Sequence, residues 1–452
     1  MKNIRPTLKV MGARTQVGSE WANLERKLVA LDRDTLRPVV VDWSYEDTPD
    51  IITTTDIFTD TKPTKRLLAA SSTYNRGNLI NHSHIGGSPE RFAAIDNSGK
   101  VVAWGYSDDG KDSPTSPRNH DVNSIYAAGK SSIALNNNKQ IFVWGRASDE
   151  PIPEEVASLT DIVMVKGYGD NVQNFLVLRE NNQVMQWQDE GAQWPLPQYI
   201  AEMDDIISIE ASGYAFAALR KDGHVVAWGD PKYGGEIPES IKNISDVIKI
   251  YANYRCFVAL REGGNIVTWG SELETDIPEN ISILNDIISI YPYYGGFLGL
   301  RKNNSIVTSG NPRLVDEIPD RIASRNDFID IQVSVDQCIA VLLPGGKIDS
   351  WGKWARNPNY VQMPENVTDV VSLCGGQETM AALKKDGSVI AWGHQKEGSH
   401  TETVKDQLYN IRAIYSSLSG FCALREDNTV VVWGECCDVP PELQGNITYS
   451  YE

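Results

Sequence analysis

Cysteine is scarce in this chain of 452 residues: there are six, with no Cys-x-x-Cys pair among them. That excludes a disulfide scaffold, and reduced thiols are expected throughout, the adjacent Cys436 and Cys437 included. No apolar run approaches the roughly eighteen residues a membrane helix needs, so no membrane insertion is expected. The opening "MKNIRPTLKVMGARTQVGSEW" carries basic residues but no apolar core. A cytoplasmic protein is expected, or one exported without a Sec-type signal peptide. Positive charge is in deficit, 42 Lys and Arg against 60 Asp and Glu, for a net charge of −18. Such a surface repels phosphate backbones, which argues against a nucleic-acid partner. Helical periodicity of useful length is missing. So are a phosphate-binding glycine loop and a Gly-x-Ser-x-Gly elbow, and no cofactor or enzymatic activity is expected. "HSH" at 82–84 offers two imidazoles on one strand face, too few for a metal site without further ligands.

What the chain has in abundance is one repeated phrase. "AALRKDGHVVAWG" at 217–229 returns as "AALKKDGSVIAWG" at 381–393. Its tryptophan recurs as Trp104, Trp144, Trp187, Trp228, Trp269, Trp351, Trp392 and Trp433, and Ser309 fills the one gap. Successive spacings are 40, 43, 41, 41, 40, 42, 41 and 41. Periods of this size mark stacked or circular repeat architectures.

Each unit begins with a short apolar run such as "DIISIEAS", read as an inner strand. A loop leads to a second strand, "FAALR" or "FCALR". A turn such as "KDGH" or "EGGN" follows, with residues that tolerate positive φ, and then a third strand, "VVAWG". Cys256 and Cys338 fall 13 positions before their repeat tryptophans, and Cys422 falls 11 before Trp433, which suits small buried thiols in strands. Seven units continue with an apolar-Pro pair, as in "IPESI", read as an outer edge or connector because proline cannot donate to a ladder. Small twisted sheets of this kind pack as blades around an axis. The fold expected is all-β, a β-propeller of about nine repeats over 76–452, with a seven-bladed ring plus extra units as the alternative. The tryptophans belong at the seams, and Phe216, Phe257, Phe297 and Phe421 hold one fixed position in the second strand.

The phrase "ALxxDGxVxAWG", with the downstream "IP" and the inner "IISI", resembles the regulator-of-chromosome-condensation repeat. In its short period it is most similar to the bacterial β-lactamase inhibitor protein II type. The resemblance covers roughly 76–450 and implies a bacterial-type β-propeller, seven-bladed in known members, where this chain offers nine units. It also implies that aromatics in the loop between first and second strands contact a target protein, a role that carries over to Tyr214.

Residues 1–75 form a β-rich N-terminal segment or degenerate blade, in which 28–43 resembles a weak hairpin with Trp43 in the tryptophan position. At the other end "NITYSYE" (446–452) matches an inner strand whose unit is otherwise missing. It is expected to complete a blade begun near the N-terminus.

The functional signal lies in the loop after the inner strand: "ASGYAF", "YANYRCF" and "YPYYGGF" in three consecutive units. Tyr214, Tyr254 and Tyr294, with Tyr251, Tyr291 and Tyr293 nearby, are the candidate binding residues, either as an aromatic rim or packed inward between blades. Tyrosine combines contact area, a hydroxyl and few rotatable bonds. Loop positions equivalent to Tyr214 hold Glu90, Lys130, Gln173, Arg255, Gly295, Glu378 and Ser419, none aromatic. The expected function is a non-enzymatic propeller that binds another protein. The alternatives are a carbohydrate-binding propeller and a host-directed effector or toxin component acting on a small GTPase.

Overall fold

The computed structural model describes residues 7–14, 26–48, 50–71, 78–80, 85–88, 91–105, 114–128, 131–145, 152–168, 174–188, 193–272, 274–311, 316–336, 338–352, 360–435 and 438–451. Each of the nine repeats folds into one three-stranded antiparallel sheet in chain order, and these are blades 1–9. Blade 4 shows the pattern: Ile206–Ala211, then Ala215–Arg220, then Val225–Gly229. The sheets are nine equivalent units, not seven with two extras.

Local chemistry sets the turns. Gly223 takes φ +83° in the "KDGH" hairpin, and a Cβ there would lie 2.3 Å from the Ser245 carbonyl oxygen at the start of blade 5. Only glycine meets both demands. In the same turn the Asp222 carboxylate accepts from the His224 backbone N–H at 3.1 Å, as Asp386 does from Ser388 at 2.9 Å. In blades 3 to 6 an aspartate before the inner strand is bridged by the arginine that closes the middle strand, as in Arg220–Asp205 at 2.8 Å and Arg301–Asp286 at 3.0 Å.

Aromatic rings occupy the seams. The Phe216 and Trp228 ring centroids lie 5.4 Å apart, and both rings pack on Leu176 and Leu178 of blade 3. Phe257 and Trp269 sit likewise against Ala217 and Leu219 of blade 4. The Trp269 indole N–H donates to the Gly234 carbonyl in the preceding connector at 3.0 Å. Five of the apolar-Pro segments are connectors of one α-helical turn with proline at the N-cap, such as Glu239–Lys242 with its single buried side chain, Ile241. One turn is too short to print a 3.6-residue period on the sequence.

Inner strands of successive blades are neighbours throughout, and that of blade 9, Ile411–Ser416, lies against that of blade 1, Ile85–Ser88. Cys422 and Leu424 of blade 9 share a core with Phe92 and Trp104 of blade 1. The chain terminus joins in. The Asn446 carbonyl accepts from the Asn97 N–H at 2.9 Å, as the Asp205 carbonyl does from Lys221 within blade 4 at 2.8 Å. Residues 446–449 thus stand where blade 1 lacks the start of its inner strand, and Ile447 and Tyr449 are buried there.

The N-terminal residues form two further sheets. One joins Leu8–Met11, Arg26–Asp32 and Ile57–Asp60; the other has five strands, in the order Ser450–Tyr451, Asn78–Ile80, Leu67–Ala70, Val41–Tyr45, Thr53–Thr55. The hairpin expected over 28–43 is corrected accordingly. Pairing begins at a Leu31–Pro38 bridge, but Arg26–Asp32 and Val41–Tyr45 then part into different sheets. A buried ion pair ties the two sheets together: Arg14 Nε lies 2.7 Å from Asp60 Oδ2, and Asp60 Oδ1 accepts from the Tyr45 hydroxyl at 2.9 Å. The first of them lies against inner strands. Arg26 bonds Gln332 of blade 7 at 2.7 Å, and Met11, Val29 and Leu31 cover Val371 of blade 8.

Candidate functional site

The loop between inner and middle strands is built on a small polar residue. In blade 4 Ser212 Oγ accepts from the Ala215 N–H at 3.0 Å. In blade 5 Asn253 Oδ1 accepts from the N–H groups of Arg255 and Cys256 at 2.9 and 2.8 Å. Each side chain imitates a backbone turn and lifts the following residues onto the rim. Loops of adjacent blades are then stitched together: the Gly213 N–H donates to the Tyr254 carbonyl, and the Tyr294 N–H to the Val335 carbonyl, both at 2.9 Å.

This stitching brings Tyr214, Tyr254 and Tyr294 into one row across blades 4, 5 and 6. Tyr214 and Tyr254 meet edge to face, with centroids 5.4 Å apart and hydroxyl oxygens 2.8 Å apart. Tyr254 and Tyr294 follow at 5.9 Å. The Arg255 guanidinium lies 5.5 Å from the Tyr294 ring centroid. Tyr214 is 37% exposed, and Tyr254 and Tyr294 are half-buried. Tyr233, from the connector after blade 4, packs on Tyr214 at 4.4 Å and was not among the residues expected from sequence. Its signal was the "PKYGG" turn, which returns to the same rim.

The other three tyrosines are placed differently. Tyr251 and Tyr293 are buried at seams, and Tyr291 packs partly buried against the core shared by blades 6 and 7. Tyr251 lies in the inner strand of blade 5, and Tyr291 and Tyr293 alternate along that of blade 6, with their rings packed between blades. The row therefore keeps three of the six candidates and gains Tyr233.

A second feature belongs to the same blades. In seven inner strands the pairing skips one residue, a β-bulge that turns its side chain out of the seam: Asn123, Val163, Ile207, Ile248, Ile288, Val371 and Arg412. Val371 and Arg412 are buried beneath the terminal segments, and Asn123 bonds the Thr64 carbonyl at 3.4 Å. Val163, Ile207, Ile248 and Ile288, in blades 3 to 6, stay 43% to 55% exposed.

The equivalent loop of blade 8 carries charge. Glu378 takes the Tyr214 position, and the Tyr360 hydroxyl bonds its carboxylate. Glu397 accepts from the Glu378 N–H at 2.8 Å, and its other oxygen lies 3.5 Å from His394 Nδ1. Burial, with the charges of Glu378, Asp336 and Glu435, pushes the Glu397 carboxyl up to about 7. His82–His84, Glu90, Lys130, Gln173, Cys436 and Cys437 lie outside the described residues.

No protein-family model matches the chain. No curated protein matches it. Among solved structures it is similar to the crinkly WD40 ectodomain of the Arabidopsis thaliana receptor kinase ACR4 (TM-score 0.37, 14% identity, 61% of this chain and 97% of that one). It is also similar to yeast RCC1 (Prp20) in complex with Kap60 (0.36, 15%, 82% and 85%). A third is Prp20p of Saccharomyces cerevisiae, described with its binding to Gsp1p and histones (0.33, 13%, 86% and 82%). These likenesses are distant; the propeller rests on the sheets and seams of the chain itself.

Proposed function

We propose that the protein is a non-enzymatic scaffold that docks another protein on blades 4 to 6. The observation that carries this reading is the row Tyr214–Tyr254–Tyr294 backed by Tyr233. Its rings already hold one another, so little side-chain entropy is lost when a partner lands on them. Three rings and an arginine are also the residue types that dominate binding energy at protein interfaces. The bulged Ile207, Ile248 and Ile288 expose further apolar side chains on those same blades, at the opposite end of each inner strand, which an extended polypeptide can reach and a small sugar cannot.

Affinity capture with the intact chain, followed by titration of the captured partner, tests the proposal. Replacing Tyr214, Tyr254 and Tyr294 together by alanine should weaken binding by 100-fold or more, the scale of a few lost hot spots at roughly 2 kcal/mol each. Unchanged affinity rejects this face. Competition by free glycans, with no protein retained, favours the carbohydrate alternative instead.

A further inference from the structure

We propose that Glu378, His394 and Glu397 form a binding site for one divalent transition metal of the zinc class on the rim of blade 8, a site separate from the tyrosine row. Among the described residues these three offer one nitrogen and two carboxylate oxygens, all within 4.8 Å of one another. An imidazole with two carboxylates is a donor set that suits zinc and its neighbours better than magnesium or calcium, which prefer oxygen alone. Donor atoms around tetrahedral zinc lie about 3.3 Å apart, given bonds of about 2.0–2.1 Å. Rotations that draw the side chains in by about 1 Å or so therefore suffice.

The surroundings favour a cation over an empty cluster. Two carboxylates face each other across the site, with Asp336 and Glu435 adding negative charge. His394 Nδ1 is enclosed and faces the Glu397 carboxylate at 3.5 Å, too long for a hydrogen bond and placed for both groups to bind one ion. The groups beside the ligands also act as outer supports do in built metal sites. The Tyr360 hydroxyl bonds Glu378, and its ring meets the His394 ring edge to face at 5.2 Å. The framework is shared with blade 4. Blade 4 places Tyr214, Asp230 and Tyr233 at these three positions and builds an aromatic pair, whereas blade 8 places three ligands there. The site is partly exposed, leaving room for a further ligand from solvent.

The test uses the full chain, stripped with a chelator and titrated calorimetrically with zinc chloride. One saturable site is expected, unaffected by millimolar magnesium or calcium. His394→Ala and Glu397→Gln should each weaken it at least tenfold, while His224→Ala, in a distant hairpin, leaves it unchanged. Tyr360→Phe should weaken it by a smaller factor. In the unaltered protein carrying isotope-labelled histidine, zinc should shift one imidazole resonance that is missing from the His394→Ala spectrum. The absence of saturable binding, zinc affinity untouched by the His394 and Glu397 changes, or a shift confined to other histidines would overturn the proposal.

Discussion

Tyr251, in an inner strand, and Tyr254, in the loop that follows, stand three positions apart, yet the first ring is sealed at a blade seam and the second lies on the rim. Their substitutions separate accordingly. Tyr251→Ala leaves a cavity in the core and is expected to cost about 3 kcal/mol in urea denaturation, against under about 1 kcal/mol for Tyr214→Ala. Equal losses would mean that the rim ring is structural. Glu397 makes a second residue-scale prediction. Its carboxyl titrates near 7 in the folded chain, above its ordinary value of 4.5. Between those values the folded state keeps a proton that the unfolded state has lost, so stability falls as pH rises through this window. Glu397→Gln should therefore raise stability at pH 8, by about 1–2 kcal/mol after solvent screening, and change little below pH 4. A destabilised variant at pH 8 would contradict this.

Elements repeat because each solves the same local problem, and that is why so much of the blade was legible in sequence. The Asp-Gly turn, the Phe and Trp seam positions and the inner-strand run each carry a chemical signature of their own. Gly223→Ala should cost more than about 1 kcal/mol, because positive φ and the nearby Ser245 backbone both resist a side chain. The aspartate–arginine bridge, by contrast, was found only in the structure, although Asp205 and Arg220 stand fifteen positions apart and Asp246 and Arg261 likewise. Other features leave no such mark. A bulge adds one residue to an apolar run without altering its composition, so the outward turn of Ile207 and Ile248 could not be read from "DIISI" or "DVIKI". Nor does "VVVDW" tell which sheet it joins, since strand pairing over long separations is decided by packing. At the binding loop the positions were legible but the facing was not: period-two alternation sends Tyr251 and Tyr293 inward, and Tyr233 arrives from a connector.

Across the whole molecule the two ends of the chain serve the ring. Deleting 446–452 removes the stretch that stands in for the start of blade 1's inner strand, together with buried Ile447 and Tyr449. At roughly 1.5–3 kcal/mol for each buried side chain, the loss is about 5 kcal/mol. The thermal midpoint should fall by several degrees, and an unchanged midpoint would refute this role for the terminus. The first N-terminal sheet covers inner strands of blades 7 and 8, while those of blades 3 to 6 keep exposed bulge residues, so exposed apolar side chains and the tyrosine row fall on the same blades. Photo-crosslinking tests the docking claim most directly, with a photoreactive phenylalanine placed in turn at 214, 254 and 294 and, as a control, at the exposed Tyr409 of another blade. The account predicts one protein partner captured from the three rim positions and none from 409; capture at 409 with silence along the row would contradict it.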